Sequence, residues 1–256
     1  MALLTLRYSS PILASQAEVN VLLPERPEQF QQASSLKPYR VLYLLHGLGD
    51  DSWGWIRHTA IDSLIRNTDI AVVLPQVGHG FYTDMARGER WFSYVAEELP
   101  LYLASVLPLS QERADTYVCG NSMGGYGAMK LALTHPERFS RAAALSGALD
   151  IQRFVETFHL NGFDPRPAFG DDLRISGTAN DLLTLLDKNA AQKQVLPALN
   201  CICGTEDILL EESRAFVAHA RSLGISISYE ECPGEHLWTS WQEQLPRVFQ
   251  WLATDN

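Results

Sequence analysis

Residues 116–127 read T-Y-V-C-G-N-S-M-G-G-Y-G, and no other stretch limits the fold as much. The strand-favouring run 116–119 precedes the glycines, and residues 126–133 have helical character, so G-x-S-x-G falls at a strand-to-helix turn. A serine at the tip of so tight a turn takes a strained backbone conformation. The residues two positions away must lack a Cβ, or they would collide across the turn. The helix that follows aims its N–H groups and the positive end of its dipole at the same point, which favours an anion there. Ser122 is therefore a candidate nucleophile. A capping serine in a Gly-rich turn is the plainer alternative, and the flanking strand and helix argue against it.

The rest of the chain alternates in a way that suits such a turn. Strands are predicted at 2–8, 18–23, 41–45, 70–74, 116–119, 142–145, 198–203 and 225–229. Helices are predicted at about 55–66, 92–107 where Pro100 breaks the helix or begins its second half, 126–134, 180–189, 211–223 and 238–252. Runs such as 41–45 are apolar throughout, as expected of strands buried on both faces. Residues 25–38 are polar and read as an exposed loop, and 76–90 form a turn-rich, aromatic loop at a strand's end. The rhythm lapses at about 150–191, where Asn161, Gly162, Pro165, Pro167, Gly170 and Gly177 interrupt short helical pieces. At 256 residues the expectation is one α/β domain. It has a mainly parallel sheet, helices on both faces, and an irregular insert near the strands' carboxyl ends, where ligands bind.

A serine hydroxyl needs a base, usually a histidine steadied by a carboxylate, and in this architecture they follow in the order Ser, Asp or Glu, His. His135, His159, His219 and His236 follow Ser122. His135 ends the helix after the turn, His159 lies in the insert and His219 falls inside a predicted helix. His236 follows the last strand, at the same end of the sheet as Ser122, and is the base of choice. Asp207 follows the strand before it and is the chosen acid, with Glu206 the local rival and Asp150 a weaker candidate. Acyl transfer also needs N–H donors where charge develops on the carbonyl oxygen. Met123 supplies one by its position, and Leu48 in the His46-Gly47-Leu48-Gly49 loop is the candidate for the other.

Composition narrows the partners. A net charge of −10 and a pI near 5.1 argue against nucleic acid or an anionic membrane as a partner. The opening M-A-L-L-T-L-R lacks the basic start and sustained apolar core of a signal peptide, so a cytoplasmic protein is expected. Cys119, Cys201 and Cys203 read as buried reduced thiols. Cys201, Cys203 and Cys232 do not match a common zinc spacing, and neither a metal nor a cofactor is expected.

With these residues in view, the chain resembles the esterase D branch of the α/β-hydrolases, particularly the bacterial tributyrin-esterase type. The likeness rests on Y-L-L-H-G-L-G at 43–49, Y-T-D at 82–84, G-N-S-M-G-G-Y at 120–126, S-G-A at 146–148, G-T-E-D at 204–207 and E-H-L-W-T-S-W at 235–241. It extends over nearly the whole chain. The resemblance implies Ser122 as nucleophile, His236 as base, Asp207 as acid, and the Leu48 and Met123 N–H groups as the oxyanion hole. Where many relatives have leucine before the serine, this chain has Asn121.

The expected activity is hydrolysis of short-chain acyl esters, small-molecule substrates, through an acyl-enzyme. A thioesterase acting on S-formylglutathione is the nearest alternative. Feruloyl or acetyl-carbohydrate esterase, acyltransferase and non-catalytic binding protein are more distant ones. Trp53, Phe81, Tyr82, Trp91 and Trp238 are candidates to shape the acyl pocket, with core packing an equal claim on each. The oligomeric state, including a homo-oligomer, is left open by the sequence.

Overall fold

The structure, a computed structural model, describes residues 1–26, 37–158 and 162–254. His159 and Asn161 lie outside them, as does most of the expected 25–38 loop. The strands are β1 (Ala2–Ser10), β2 (Ser15–Leu23), β3 (Arg40–Leu45), β4 (Ile70–Pro75), β5 (Thr116–Asn121), β6 (Arg141–Leu145), β7 (Ala198–Gly204) and β8 (Ile227–Cys232). They form one sheet in the order β1-β2-β4-β3-β5-β6-β7-β8. The β1–β2 and β2–β4 pairs are antiparallel, and every pair from β4–β3 to β7–β8 is parallel. This is the architecture of the α/β-hydrolases.

The helices are α1 (Gly54–His58), α2 (Ile61–Ile65), α3 (Trp91–Ser93), α4 (Leu99–Val106), α5 (Met123–Thr134), α6 (Ile151–Thr157), α7 (Arg166–Phe169), α8 (Leu182–Gln192), α9 (Leu210–Ser222) and α10 (Trp238–Leu252). The central strands alternate between two apolar layers, as the two-residue period of a strand requires. Val41, Tyr43, Leu45, Val118 and Ala142 face α5, α8 and α9. Leu42, Leu44, Tyr117, Cys119 and Leu145 face α1, α2 and α10, where Trp55, Ile61, Leu245 and Val248 complete the layer. Each such side chain, fully buried, stabilises the fold by about 1.5–3 kcal/mol.

Two helices differ from the sequence reading for local reasons. The helix expected over 55–66 is interrupted at Thr59, whose extended backbone (φ −135°) and hydroxyl bond to the Trp55 carbonyl (2.5 Å) close α1. Pro100 begins the second half of its helix, in the first turn of α4, as one of the two expectations has it. A π-turn over Tyr94–Glu98 joins α3 to α4, with the Leu99 N–H reaching back to the Tyr94 carbonyl. That shift in bonding accommodates a residue with no N–H to give. In the insert the short helical pieces are α6 and α7, and the helix expected near 180–189 is α8.

Candidate active site

Ser122 sits between β5 and α5 with φ 53° and ψ −119°, a region an L-residue enters only under constraint. The constraint is visible in its bonds. Its N–H donates to the Leu145 carbonyl at 3.0 Å, and its carbonyl accepts from the Tyr126 and Ala148 N–H groups at 3.1 and 3.2 Å. A Cβ on Gly120 would lie 2.4 Å from the Gly124 backbone, and one on Gly124 would lie 2.3 Å from the Leu45 carbonyl oxygen. Glycine at both positions lets β5, α5 and the loop after β3 meet at the serine.

His236 lies in the turn between β8 and α10, with its Nε2 2.9 Å from Ser122 Oγ. Its Nδ1 lies 2.9 and 3.1 Å from the two carboxylate oxygens of Asp207. Because a carboxylate only accepts, Nδ1 carries the proton and Nε2 is left to accept from the serine hydroxyl. The Asp207 side chain is fully buried and also accepts the Leu209 N–H at 2.8 Å, which fixes its orientation. Trp241 packs edge-on against the imidazole, ring centroids 5.0 Å apart, and holds its plane. Glu206 does not reach the histidine. Its carboxylate accepts the Gly234 N–H at 2.8 Å, and that bond lowers its pKa below the usual carboxyl value.

The loop after β3 is braced by buried polar groups. His46 Nε2 accepts the Val77 N–H at 3.2 Å, so Nδ1 is the protonated nitrogen and donates to the Gly47 carbonyl at 2.8 Å. Burial lowers the His46 pKa, which keeps the ring neutral in this role. The Tyr82 hydroxyl donates to the His46 carbonyl (3.0 Å) and Trp55 Nε1 to the Leu45 carbonyl (3.0 Å). Among the described residues, the Leu48 and Met123 N–H groups meet no acceptor of the protein.

A cleft of about 310 Å³ opens over the serine, lined by Gly47, Leu48, Gly49, Asp50, Asn121, Ser122, Phe154, Phe158, His236, Leu237, Trp238 and Trp241. Of the aromatic residues expected to shape it, only Trp238 lies on its wall. Phe81 is buried beneath Phe154, with ring centroids 5.7 Å apart. Tyr82 is buried under the His46 loop, Trp91 packs on Tyr94, and Trp53 caps the start of α1. Phe81 and Tyr82 fill the interior and Phe81 backs the wall through Phe154, while the half-buried Trp53 and Trp91 lie outside the lining. The sequence reading missed Asn121, Phe154, Phe158, Leu237 and Trp241. Trp241 was findable, since it stands three residues after Trp238 on a predicted helix and so shares its face.

A family described as putative esterase matches residues 10–252. The chain belongs to this esterase family. The esterase is 30% identical to the acetyl esterase of Caldicellulosiruptor saccharolyticus, an alignment covering 99% of this chain and 98% of the relative. It superposes on the fluorophosphonate-binding serine hydrolase FphF of Staphylococcus aureus with a TM-score of 0.94 and 31% identity, covering 99% of each chain. It is similar also to the S-formylglutathione hydrolase FrmB of Staphylococcus aureus, with a TM-score of 0.90, 32% identity and 99% coverage of each chain. The esterase D-type resemblance holds, and the esterase is a serine hydrolase that acts on carboxylic ester bonds. Among the described residues of the esterase, no helix is long and apolar enough to cross a membrane.

Proposed function

We propose that Ser122, His236 and Asp207 carry out ester hydrolysis through an acyl-enzyme, with short-chain acyl esters as substrates. The observation that carries this reading is the continuous chain of bonds from Asp207 through His236 to Ser122 Oγ, none longer than 3.1 Å. His236 Nε2 takes the hydroxyl proton as Oγ attacks the carbonyl carbon. The tetrahedral oxyanion is received by the Leu48 and Met123 N–H groups, and Asp207 stabilises the imidazolium that forms. His236 then returns the proton to the departing alkoxide. In the second half His236 activates a water, which attacks the acyl carbon and frees the acid and Ser122.

A cleft of about 310 Å³ with aromatic walls suits small acyl and alcohol groups. Four buried, free thiols fit a cytoplasmic setting. The test is labelling with an organophosphonate. The wild type should be modified at Ser122, and Ser122→Ala should remain folded, unlabelled and inactive. Labelling of another serine would overturn the assignment.

A second reading is favoured by the likeness to FrmB, an S-formylglutathione hydrolase. The same groups would cleave a thioester, whose thiolate leaves with less help from His236. Comparing kcat/KM on S-formylglutathione with that on nitrophenyl acetate decides between the two.

A further inference from the structure

Two residues of the cleft's wall each carry a buried polar atom that has no partner among the described residues: Oδ1 of Asn121 and Nε1 of Trp241. Both residues are buried, with 1% and 6% of their surface exposed. Asn121 is the last residue of β5 and directly precedes Ser122. By strand alternation its side chain shares the direction of Tyr117 and Cys119, toward the layer that holds Trp241. Its amide nitrogen lies against Gly47, 3.2 Å from where a Cβ would stand, so the carboxamide sits beneath the proposed oxyanion loop. Of the lining's other polar groups outside Ser122 and His236, Asp50 is already engaged by Arg57 at 3.0 Å, and Trp238 adds a second indole N–H. The side chains of Leu48, Phe154, Phe158 and Leu237, and the ring carbons of Trp238, offer a substrate apolar surface.

A buried carboxamide without a partner is destabilising, and leucine, of nearly the same shape, would avoid the loss. Such a group is stabilised when a ligand arrives that pairs it. A hydroxyl both donates and accepts, so it matches the carboxamide in either orientation and the indole N–H as well.

We propose that Asn121 is a specificity-determining residue which, with Trp241 on the same wall, hydrogen-bonds a hydroxyl group of the substrate. The preferred substrates are then polar short-chain esters, with a hydroxylated acyl group or a polyol as the alcohol. This inference rests on the reading of Ser122 as the nucleophile. A site that pairs a substrate hydroxyl penalises the analogue lacking it, whereas an apolar pocket discriminates weakly against an added hydroxyl.

The experiment measures kcat/KM of wild type, Asn121→Leu and Trp241→Phe on two matched pairs. Nitrophenyl butyrate against nitrophenyl 3-hydroxybutyrate places the hydroxyl on the acyl side, and propyl acetate against glycerol monoacetate places it on the alcohol side. Wild type should favour the hydroxylated member of one pair by about tenfold or more. Asn121→Leu should bring that ratio close to one, and Trp241→Phe should reduce it. A wild type without preference in either pair overturns the proposal whether or not the variants fold, and so does an unchanged ratio in folded Asn121→Leu. Organophosphonate labelling of Ser122 is scored separately, so a failed hydroxyl preference with intact labelling counts against Asn121 alone.

Discussion

Glu206 accepts the N–H of Gly234 at 2.8 Å, while the Glu206 N–H donates to the Gly234 carbonyl at 3.1 Å. This reciprocal pair joins the loop after β7 to the turn that carries His236, and it divides two adjacent acids by task. Glu206 holds the turn and Asp207 holds the ring.

That division gives the first prediction. Asp207→Asn should lower kcat by about 10⁴-fold, because the amide cannot hold the imidazole in the tautomer that accepts from serine. Glu206→Gln keeps an oxygen for Gly234 and should cost less than about tenfold, the loss being of one charge-assisted bond. Steady-state kinetics on nitrophenyl acetate measures both, and a larger loss at Glu206 would reverse the assignment.

Gly124→Ala tests the crowding at the serine. The new Cβ would overlap the backbone of Leu45 and His46, which cannot step aside as a flexible side chain would. Overpacking of this kind costs about 1–3 kcal/mol. Urea denaturation should show that loss, and phosphonate labelling of Ser122 should slow because the overlap displaces the loop bearing Leu48. Full stability with full labelling would show that the turn has slack.

Lys130 supplies a prediction in pH. Its ammonium is buried in α5, where it donates to the Tyr82 carbonyl at 3.1 Å and Asn180 Oδ1 at 2.6 Å. Burial pushes its pKa from 10.5 down to about 7, against the opposing pull of Asp84. Between those values the unfolded chain holds a proton that the native state has released, so stability rises with pH across that window. It becomes independent of this group below about pH 7. The slope approaches about 1.4 kcal/mol per pH unit near the middle of the window. Unfolding free energies at pH 7.5 and 9 should rise more in wild type than in Lys130→Met. Parallel behaviour of the two proteins would mean that the amine stays charged.

The cleft's size sets the acyl range. Activity should be highest on acetyl to butyryl esters, low on octanoate and absent on palmitate, with no jump when tributyrin passes its solubility limit. Phe154→Ala removes part of the wall and should shift the optimum toward longer esters. A wild-type preference for palmitate, or activation on emulsified tributyrin, would contradict the small pocket.

The parts of the site that follow chain order were legible in the sequence. Ser122, Asp207 and His236 each occupy the loop after a strand, and a parallel sheet delivers all such loops to one end. The aromatic wall was not legible. Large rings serve equally in cores and in clefts, so nothing in the sequence separated Phe81, which backs the wall, from Phe154, which forms it. The π-turn ahead of Pro100 was hidden for a different reason, since such a turn leaves no mark in apolar periodicity. Asn121 stood out only as a departure from the leucine of many relatives, and its meaning depended on the partnerless atoms around it.

The bonds that hold the Ser122 backbone to the neighbouring strand lie at the end of β6 and in the turn just after it: Leu145 receives its N–H and the Ala148 N–H donates to its carbonyl. The segment that brings Phe154 and Phe158 to the cleft departs only afterwards, at Asp150, and rejoins the sheet at β7. The proposed reacting groups and the part of the cleft wall made by Phe154 and Phe158 are thus anchored in separate places, while Asn121 and Trp241 stay on the elements that carry the reacting groups. Residues 150–197 can be lengthened, shortened or exchanged without altering the hydrogen bonds of the serine's own backbone. A chain built this way can reshape that wall by splicing in one interval while the turn that presents its serine keeps its geometry.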